Sequence, residues 1–354
     1  MELMENSRYL MLLDKMDQVF PDWNLLYGKS FFISGASGMI GSFLVDVIMR
    51  QNTMLPPDKQ CRVIAMGRNQ AAAEHRFKRW SGMPAFQFLA HDVTQPLPNL
   101  SWEPDYWIHA ASNTDPISYS GEPINTILAN VLGTLHLLDR ASQNQGSRFL
   151  LLSSVEIYGE NRGDVELFQE GYCGYIDSNT LRASYPEAKR VSEALCQAYI
   201  AQKGVDAVIL RLPRCYGPTM RSSDAKAVAQ FLRKAAAGED IVLMSAGTQH
   251  NSYAHVFDAV TGILRVLLSG ERGQAYNLSD EKSDVTLRQL AEIAARYGGT
   301  SVQFAPREQW VQKEYSTKAL MDGSKLKKLG WKAQYDITRG VCETIDILRQ
   351  LREA

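Results

Sequence analysis

A strand-like run, Ser30-Phe31-Phe32-Ile33, is followed at once by three glycines at GxxGxxG spacing, Gly35, Gly38 and Gly41, and by an apolar helical stretch from Met39 to Met49. Few folds accept strand, glycine turn and helix in so few residues. The turn must bring backbone close to backbone. The opening of the helix then presents the N–H groups of Ser37, Met39, Ile40 and Gly41 where an anionic pyrophosphate can be held. The spacing departs from GxGxxG, so the weight of the motif comes from its position between a strand and a helix.

The same rhythm continues. Strand-like runs occur at Arg62–Met66, Phe86–Leu89, Tyr106–His109, Phe149–Leu152 and Ala207–Leu210, and helical stretches such as Ile124–Ser142 and Ala188–Gln202 separate most of them. Short apolar strands alternating with helices predict an α/β fold of the Rossmann type, a doubly wound parallel sheet. Past Pro213 the rhythm changes to helix Ala225–Ala237, strand Ile241–Met244, helix Asp258–Leu268, strand Ala275–Leu278 and a final helix Thr338–Leu351. We therefore expect a helical extension over 1–28, a dinucleotide-binding domain over 29–212, and a smaller mixed α/β substrate-binding region over 213–354. Parts near 250–278 are expected to return to the first domain, and the second region to cover the carboxyl ends of the strands, where open sheets bind ligands.

Composition narrows the partners. With 38 basic and 39 acidic residues among 354, the chain offers no electrostatic footprint for nucleic acid or an anionic membrane, which points to a small molecule. Five scattered cysteines without CxxC or Cys/His spacing predict buried thiols in a reducing compartment and no metal site. The amino terminus interrupts Leu10-Met11-Leu12-Leu13 with charge, unlike a signal peptide, and no run approaches the roughly 20 apolar residues that span a bilayer. A cytoplasmic location is the expectation.

Reactive groups cluster further along. Tyr185 and Lys189 stand four residues apart, so on a helix they share a face, and an ammonium beside a phenol favours the phenolate. Such a phenol can move a proton on or off a hydroxyl while a nicotinamide carries hydride. Ser154 closes a strand and can donate to an oxygen that becomes a carbonyl. Glu156, two residues on, is expected on the same side of an extended segment. At the end of the second strand stands Gly67-Arg68 instead of an acidic residue. Arg68 is therefore placed either on a 2′-phosphate, which admits NADP beside NAD, or on adenine or in solvent. Asp92 and Val93 follow the third strand near the expected adenine edge. Ala110, Ala111 and Ser112 follow the fourth, with small side chains where a cofactor passes close to the backbone.

Taken in order, Gly35-x-x-Gly38-x-x-Gly41, His109-Ala110-Ala111-Ser112, Asn130-Val131-Leu132-Gly133-Thr134, Ser153-Ser154-Val155-Glu156, Tyr185-x-x-x-Lys189 and Arg211-Leu212-Pro213-Arg214-Cys215-Tyr216-Gly217-Pro218 resemble the extended short-chain dehydrogenase/reductases that modify nucleotide-linked sugars. The resemblance covers nearly everything after residue 28. It implies Ser154 as the hydroxyl on the reacting sugar oxygen, Tyr185 as acid/base, Lys189 on the nicotinamide ribose, a nucleotide-diphosphate sugar as substrate, and a homodimer through segments 124–142 and 188–202. The chain looks most like the UDP-glucuronate decarboxylase branch, with 4-epimerisation and 4,6-dehydration as alternatives and a non-catalytic NAD(P)-sensing protein as a reading of another class. Two departures stand out. Asn251-Ser252-Tyr253 replaces an Arg-x-Phe of the decarboxylases, and Arg214 replaces an asparagine. Arg182, Arg214 and Arg221 are the candidates for a diphosphate or carboxylate in its place.

Overall fold

The computed structural model describes residues 2–114, 116–306 and 318–353, and for 116–118 the backbone alone. Strands, in chain order, are β1 (Ser30–Ser34), β2 (Arg62–Gly67), β3 (Phe86–Ala90), β4 (Tyr106–His109), β5 (Arg148–Ser154), β6 (Asp206–Leu212), β7 (Arg214–Tyr216), β8 (Ile241–Leu243), β9 (His250–His255), β10 (Ala275–Asn277), β11 (Asp284–Thr286), β12 (Val302–Phe304) and β13 (Lys318–Ala319). Helices are α1 (Ser7–Val19), α2 (Met39–Asn52), α3 (Gln70–Arg76), α4 (Pro116–Gly121), α5 (Pro123–Gln143), α6 (Ser184–Lys203), α7 (Ala227–Ala237), α8 (Val256–Ser269), α9 (Leu287–Gly298), α10 (Ser324–Lys328) and α11 (Ile337–Glu353).

Seven strands form one parallel sheet in the order β10-β6-β5-β4-β1-β2-β3. Its strands read as unbroken apolar runs because both faces are covered. Alternate residues still divide cleanly between two cores. Phe31, Ile33, Val63, Ala65, Ile108, Leu150, Leu152, Val208 and Leu210 face the side of α2 and α8. Phe32, Ile64, Met66, Trp107, Phe149, Leu151, Ala207 and Ile209 face the other side, with Leu137 and Leu138 of α5 and Cys196 of α6. The chain winds outward from β1 through β2 and β3, then reverses through β4, β5 and β6, which opens a crevice at the carboxyl ends of β1 and β4.

The carboxy-terminal region has its own core, in which Val228 and Leu232 of α7, Leu290 and Ala294 of α9, and Val341 and Ile345 of α11 close over Ile241 and Leu243. A small mixed sheet carries β9 between β11 and β13, with β7 also paired to β9. Helix α9 and strands β7, β9, β11 and β13 are not anticipated from the sequence. Apart from β9, which begins with the polar residues His250, Asn251 and Ser252 instead of an apolar run, these strands have two or three residues and carry too little periodicity to register.

The amino-terminal extension is bound tightly to the first core. Tyr9, Leu12, Leu13 and Met16 of α1 are buried. Tyr9 donates its phenol to Asp46 Oδ2 at 2.6 Å, and the same carboxylate, fully buried in α2, accepts from Trp80 Nε1 at 2.8 Å and pairs with Arg76. No helix among the described residues is long and apolar enough to cross a membrane.

Candidate active site

The glycine turn is as tight as its spacing demands. Gly35 takes φ +68°, and a Cβ there would stand 2.6 Å from the backbone of Ala111; one on Gly41 would stand 2.5 Å from the Gly35 carbonyl. Gly38 caps α2 without a side chain, so the helix opens onto the crevice through bare backbone N–H groups, a fit for an anion. Below the turn Ser34 Oγ, 2.7 Å from His109 Nδ1, accepts from the N–H groups of Ala110 and Ala111 at 3.2 and 3.3 Å. These bonds lock the ends of β1 and β4 side by side. Ser37 Oγ is buried with no hydrogen-bond partner among the described residues, a donor beside the turn.

A cavity of about 660 Å³ runs from this turn to the carboxy-terminal region. It gathers Gly35, Gly38, Met39, Ile40, Gly41, Ala110, Ser112, Ser154, Glu156, Arg182, Tyr185, Lys189, Arg214, Arg221 and Asn251 in one wall, although they span more than two hundred positions of sequence. Five candidates lie outside the lining. Ala111 supports Gly35 from behind; Val93 packs against Gly133; Ser37 sits under Gly67. Asp92 accepts from the N–H and hydroxyl of Thr94 at 2.9 Å, and with Arg68 nearby its carboxyl is held below the usual range, the Thr94 N–H being the largest cause. Arg68 itself is exposed.

Ser154 ends β5, and the chain then enters a 3₁₀ turn, Val155–Tyr158, instead of continuing extended; Ser154 Oγ caps that turn by accepting from the Glu156 N–H at 3.2 Å. Glu156 thus reaches the cavity by way of a turn, which corrects the expectation from strand alternation. Tyr185 and Lys189 occupy the first turns of α6 and are both buried. Tyr185 lies within hydrogen-bonding reach of Ser154 and stacks on Tyr119, ring centroids 5.5 Å apart at 10°.

The expected lowering of the phenol by Lys189 is not found among the protein's own groups. Burial, the largest effect, pushes Tyr185 above its ordinary value; Ser154 lowers it and the Glu156 charge raises it again. The lysine is 5.9 Å from the Tyr185 ring centroid and donates instead to the Leu152 carbonyl at 2.7 Å. Burial also lowers its own pKa to about 8. The i,i+4 spacing aligned the two side chains, and desolvation outweighed their coupling.

Glu156 is shared: Arg182 Nη2 donates to Oε2 and Arg214 Nη2 to Oε1, each at 3.3 Å. Arg221 donates to the Ser37 carbonyl at 3.2 Å, tying the carboxy-terminal region to the glycine turn. Lys226 reaches across to Thr114 at 3.0 Å. Tyr253, which stands in the segment replacing Arg-x-Phe, also lines the wall, and Tyr119, Gln249 and Lys226 are wall residues not anticipated from the sequence. No motif marks them. Among the described residues no group of three or more His, Cys, Asp or Glu side chains is placed to hold a metal ion.

Comparison with known proteins agrees with this geometry. The model of the NAD dependent epimerase/dehydratase family matches residues 31–279. UDP-glucuronic acid decarboxylase 5 of Arabidopsis thaliana is 33% identical over 310 residues, covering 87% of this chain and 85% of that protein. UDP-glucuronic acid decarboxylase 1 of Danio rerio is 30% identical over 319 residues, covering 90% and 72%. Among solved structures, UDP-glucose 4-epimerase from Thermotoga maritima superposes with a TM-score of 0.75 at 21% identity, covering 91% of this chain and 99% of that one. UDP-glucuronic acid 4-epimerase from Bacillus cereus, in complex with UDP-glucuronic acid and NAD, gives 0.75 at 19% over the same shares. With its glycine turn, its Ser154, Tyr185 and Lys189 wall and these matches, the chain belongs to the NAD-dependent epimerase/dehydratase family of enzymes.

Proposed function

We propose that this enzyme oxidises a UDP-linked hexuronate at C4, releases the C6 carboxylate as carbon dioxide and restores the C4 hydroxyl. The observation that carries the reading is the convergence of Ser154, Glu156, Tyr185 and Lys189 on the cavity that the glycine turn opens. NAD would be held by the backbone of Gly35–Gly41, with Ser37 Oγ, Ala110–Ser112 and Lys189 along its length, and when bound it accepts the C4 hydride and later returns it. An oxidised nicotinamide held near Tyr185 would supply positive charge that favours the phenolate.

Tyr185 takes the proton of the C4 hydroxyl while Ser154 donates to the same oxygen. A ketone at C4 lies β to the carboxylate on C5. The C5–C6 bond breaks, its electron pair passes into the C4 carbonyl as an enolate, and C5 takes a proton from solvent water entering the cavity on the side of Glu156. Tyr185 finally returns its proton to the C4 oxygen. Residues 29–212 serve the cofactor in this scheme, and the region after 213 serves mainly the sugar nucleotide, with Arg221 and Lys226 near its diphosphate. Arg68, beside Asp92, faces the adenosine ribose and leaves room for NADP as well as NAD.

Ile124, Ile127 and Leu128 of α5 and Val191 of α6 are exposed, and covering them in a homodimer removes apolar surface from water. Five cysteines without a disulfide accord with a cytoplasmic location.

The test is the purified enzyme, resupplied with NAD or NADP, incubated with UDP-, dTDP-, CDP- and GDP-sugars and followed by mass spectrometry and proton NMR. Carbon dioxide lost from UDP-glucuronate supports the reading. An unchanged mass with an inverted C4 proton, or loss of water, replaces it with epimerisation or dehydration.

A further inference from the structure

One cluster in the cavity wall keeps a cationic donor unsatisfied among the described residues. Glu156 is a single carboxylate facing two guanidiniums, and both contacts are single hydrogen bonds at 3.3 Å. Arg182 has a further partner in the Tyr119 hydroxyl, also at 3.3 Å. Arg214 Nη1, by contrast, is buried with no hydrogen-bond partner among the described residues. A buried, unsatisfied donor on a cation is costly unless a ligand completes it.

Its surroundings say which ligand group fits. Arg214 on β7 pairs in register with Tyr253 on β9, strand alternation puts Asn251 on the same face as Tyr253, and Gln249 stands just before the strand. All four line the cavity. Gln249 Oε1 and Asn251 Oδ1 are likewise buried without partners among the described residues, neutral acceptors suited to ring hydroxyls. Because the Glu156 charge acts directly on Tyr185, Arg214 is one side chain away from the phenol that handles the C4 hydroxyl. Only substituents on C3 and C5 lie next to C4 in a sugar ring. A C3 hydroxyl calls for no cation, whereas a carboxylate on C5 can accept from the open Nη1 of Arg214.

We propose that Arg214 is the specificity-determining residue that recognises a carboxylate on the carbon adjacent to the one oxidised. This rests on the reading that the substrate is a sugar nucleotide oxidised at C4. The guanidinium comes from β7, while position 251 on the neighbouring strand offers a neutral amide.

The experiment measures binding of UDP-glucuronate and UDP-glucose to the NAD-loaded enzyme by calorimetry, in a Tyr185→Phe background that prevents turnover, with Arg214 intact or changed by Arg214→Gln or Arg214→Lys. With Arg214 intact, UDP-glucuronate binds more tightly than UDP-glucose. Arg214→Gln weakens UDP-glucuronate roughly 10- to 100-fold and leaves UDP-glucose within about threefold, while Arg214→Lys keeps part of the preference. A merely structural role would weaken both sugars alike. Equal losses, a preference that survives Arg214→Gln, or no preference at the start each overturn the proposal. Carbon dioxide release by the chain with Tyr185 intact is scored separately. An Arg214-dependent preference without release retires the decarboxylase reading alone, and release with an Arg214-independent preference retires this inference alone.

Discussion

Asp46 and Glu156 are both carboxylates held by arginine, and they are held in opposite ways. Asp46 is sealed between α1, α2 and α3, where a phenol, an indole N–H and the Arg76 guanidinium all bond to it. Glu156 sits part-exposed in the cavity wall with two long contacts, and Nη1 of its Arg214 partner has no hydrogen-bond partner among the described residues. A polar network that braces a fold spends its donors within the protein, because each unspent one costs stability. A network meant for a ligand keeps some back. The amino-terminal extension is thus assigned a bracing role that its sequence did not disclose.

The contrast is broken or sharpened by substitutions whose effects fall on one side only. The largest effect is expected at Tyr185: Tyr185→Phe should cut turnover about 1000-fold while NAD binding, read by fluorescence, persists. A variant that turns over normally would remove Tyr185 from the chemistry. Asp46→Asn should follow, costing about 3 kcal/mol in chemical denaturation because it leaves Arg76 buried beside a neutral amide. Turnover per folded molecule should stay unchanged, and a parallel loss of activity would mean that the brace and the site are coupled. Glu156→Gln should do the reverse. Carbon dioxide release is expected to fall roughly 100-fold, with unfolding free energy shifting by less than about 1 kcal/mol, as for a partly exposed ion pair; a large loss of stability would make Glu156 a second brace.

A pH effect comes next. Burial favours the neutral amine of Lys189, so its proton leaves near pH 8 instead of near 10.5. If the ammonium holds the nicotinamide ribose, NAD affinity should fall as pH rises through about 8, by up to about tenfold per unit. Lys189→Met should bind NAD weakly with no such step, and an unchanged step in that variant would assign it to another group. Between about 8 and 10.5 the unfolded chain carries a lysine proton that the folded chain has lost, so this residue's contribution to stability rises with pH there. The smallest effect is Tyr9→Phe, expected to cost about 1 kcal/mol for one hydrogen bond to Asp46; a neutral result in denaturation would show that Arg76 and Trp80 suffice.

Legibility followed periodicity. The strands of the parallel sheet announce themselves as apolar runs, and α5, expected over 124–142, is observed as Pro123–Gln143. The same signal failed in the carboxy-terminal region, where β7 and β13 have three and two residues and take their conformation from pairing with β9. Motif spacing located Gly35, Ser154, Tyr185 and Lys189, while Tyr119, Gln249 and Lys226 entered the site through packing that no local pattern records.

By itself the sequence determined the sheet, the glycine turn and the identity of the reacting side chains, since these rest on interactions among residues close along the chain or repeating with the period of a strand or helix. The tertiary structure decided what those side chains are worth. Burial, set by neighbours far away in sequence, turned the Tyr185 phenol upward and the Lys189 ammonium downward. It also brought Arg182 and Arg214, 32 positions apart, onto the two oxygens of one carboxylate. Solvation and long-range contacts carry no period that a linear reading can detect, and the electrostatics of the site depend on both.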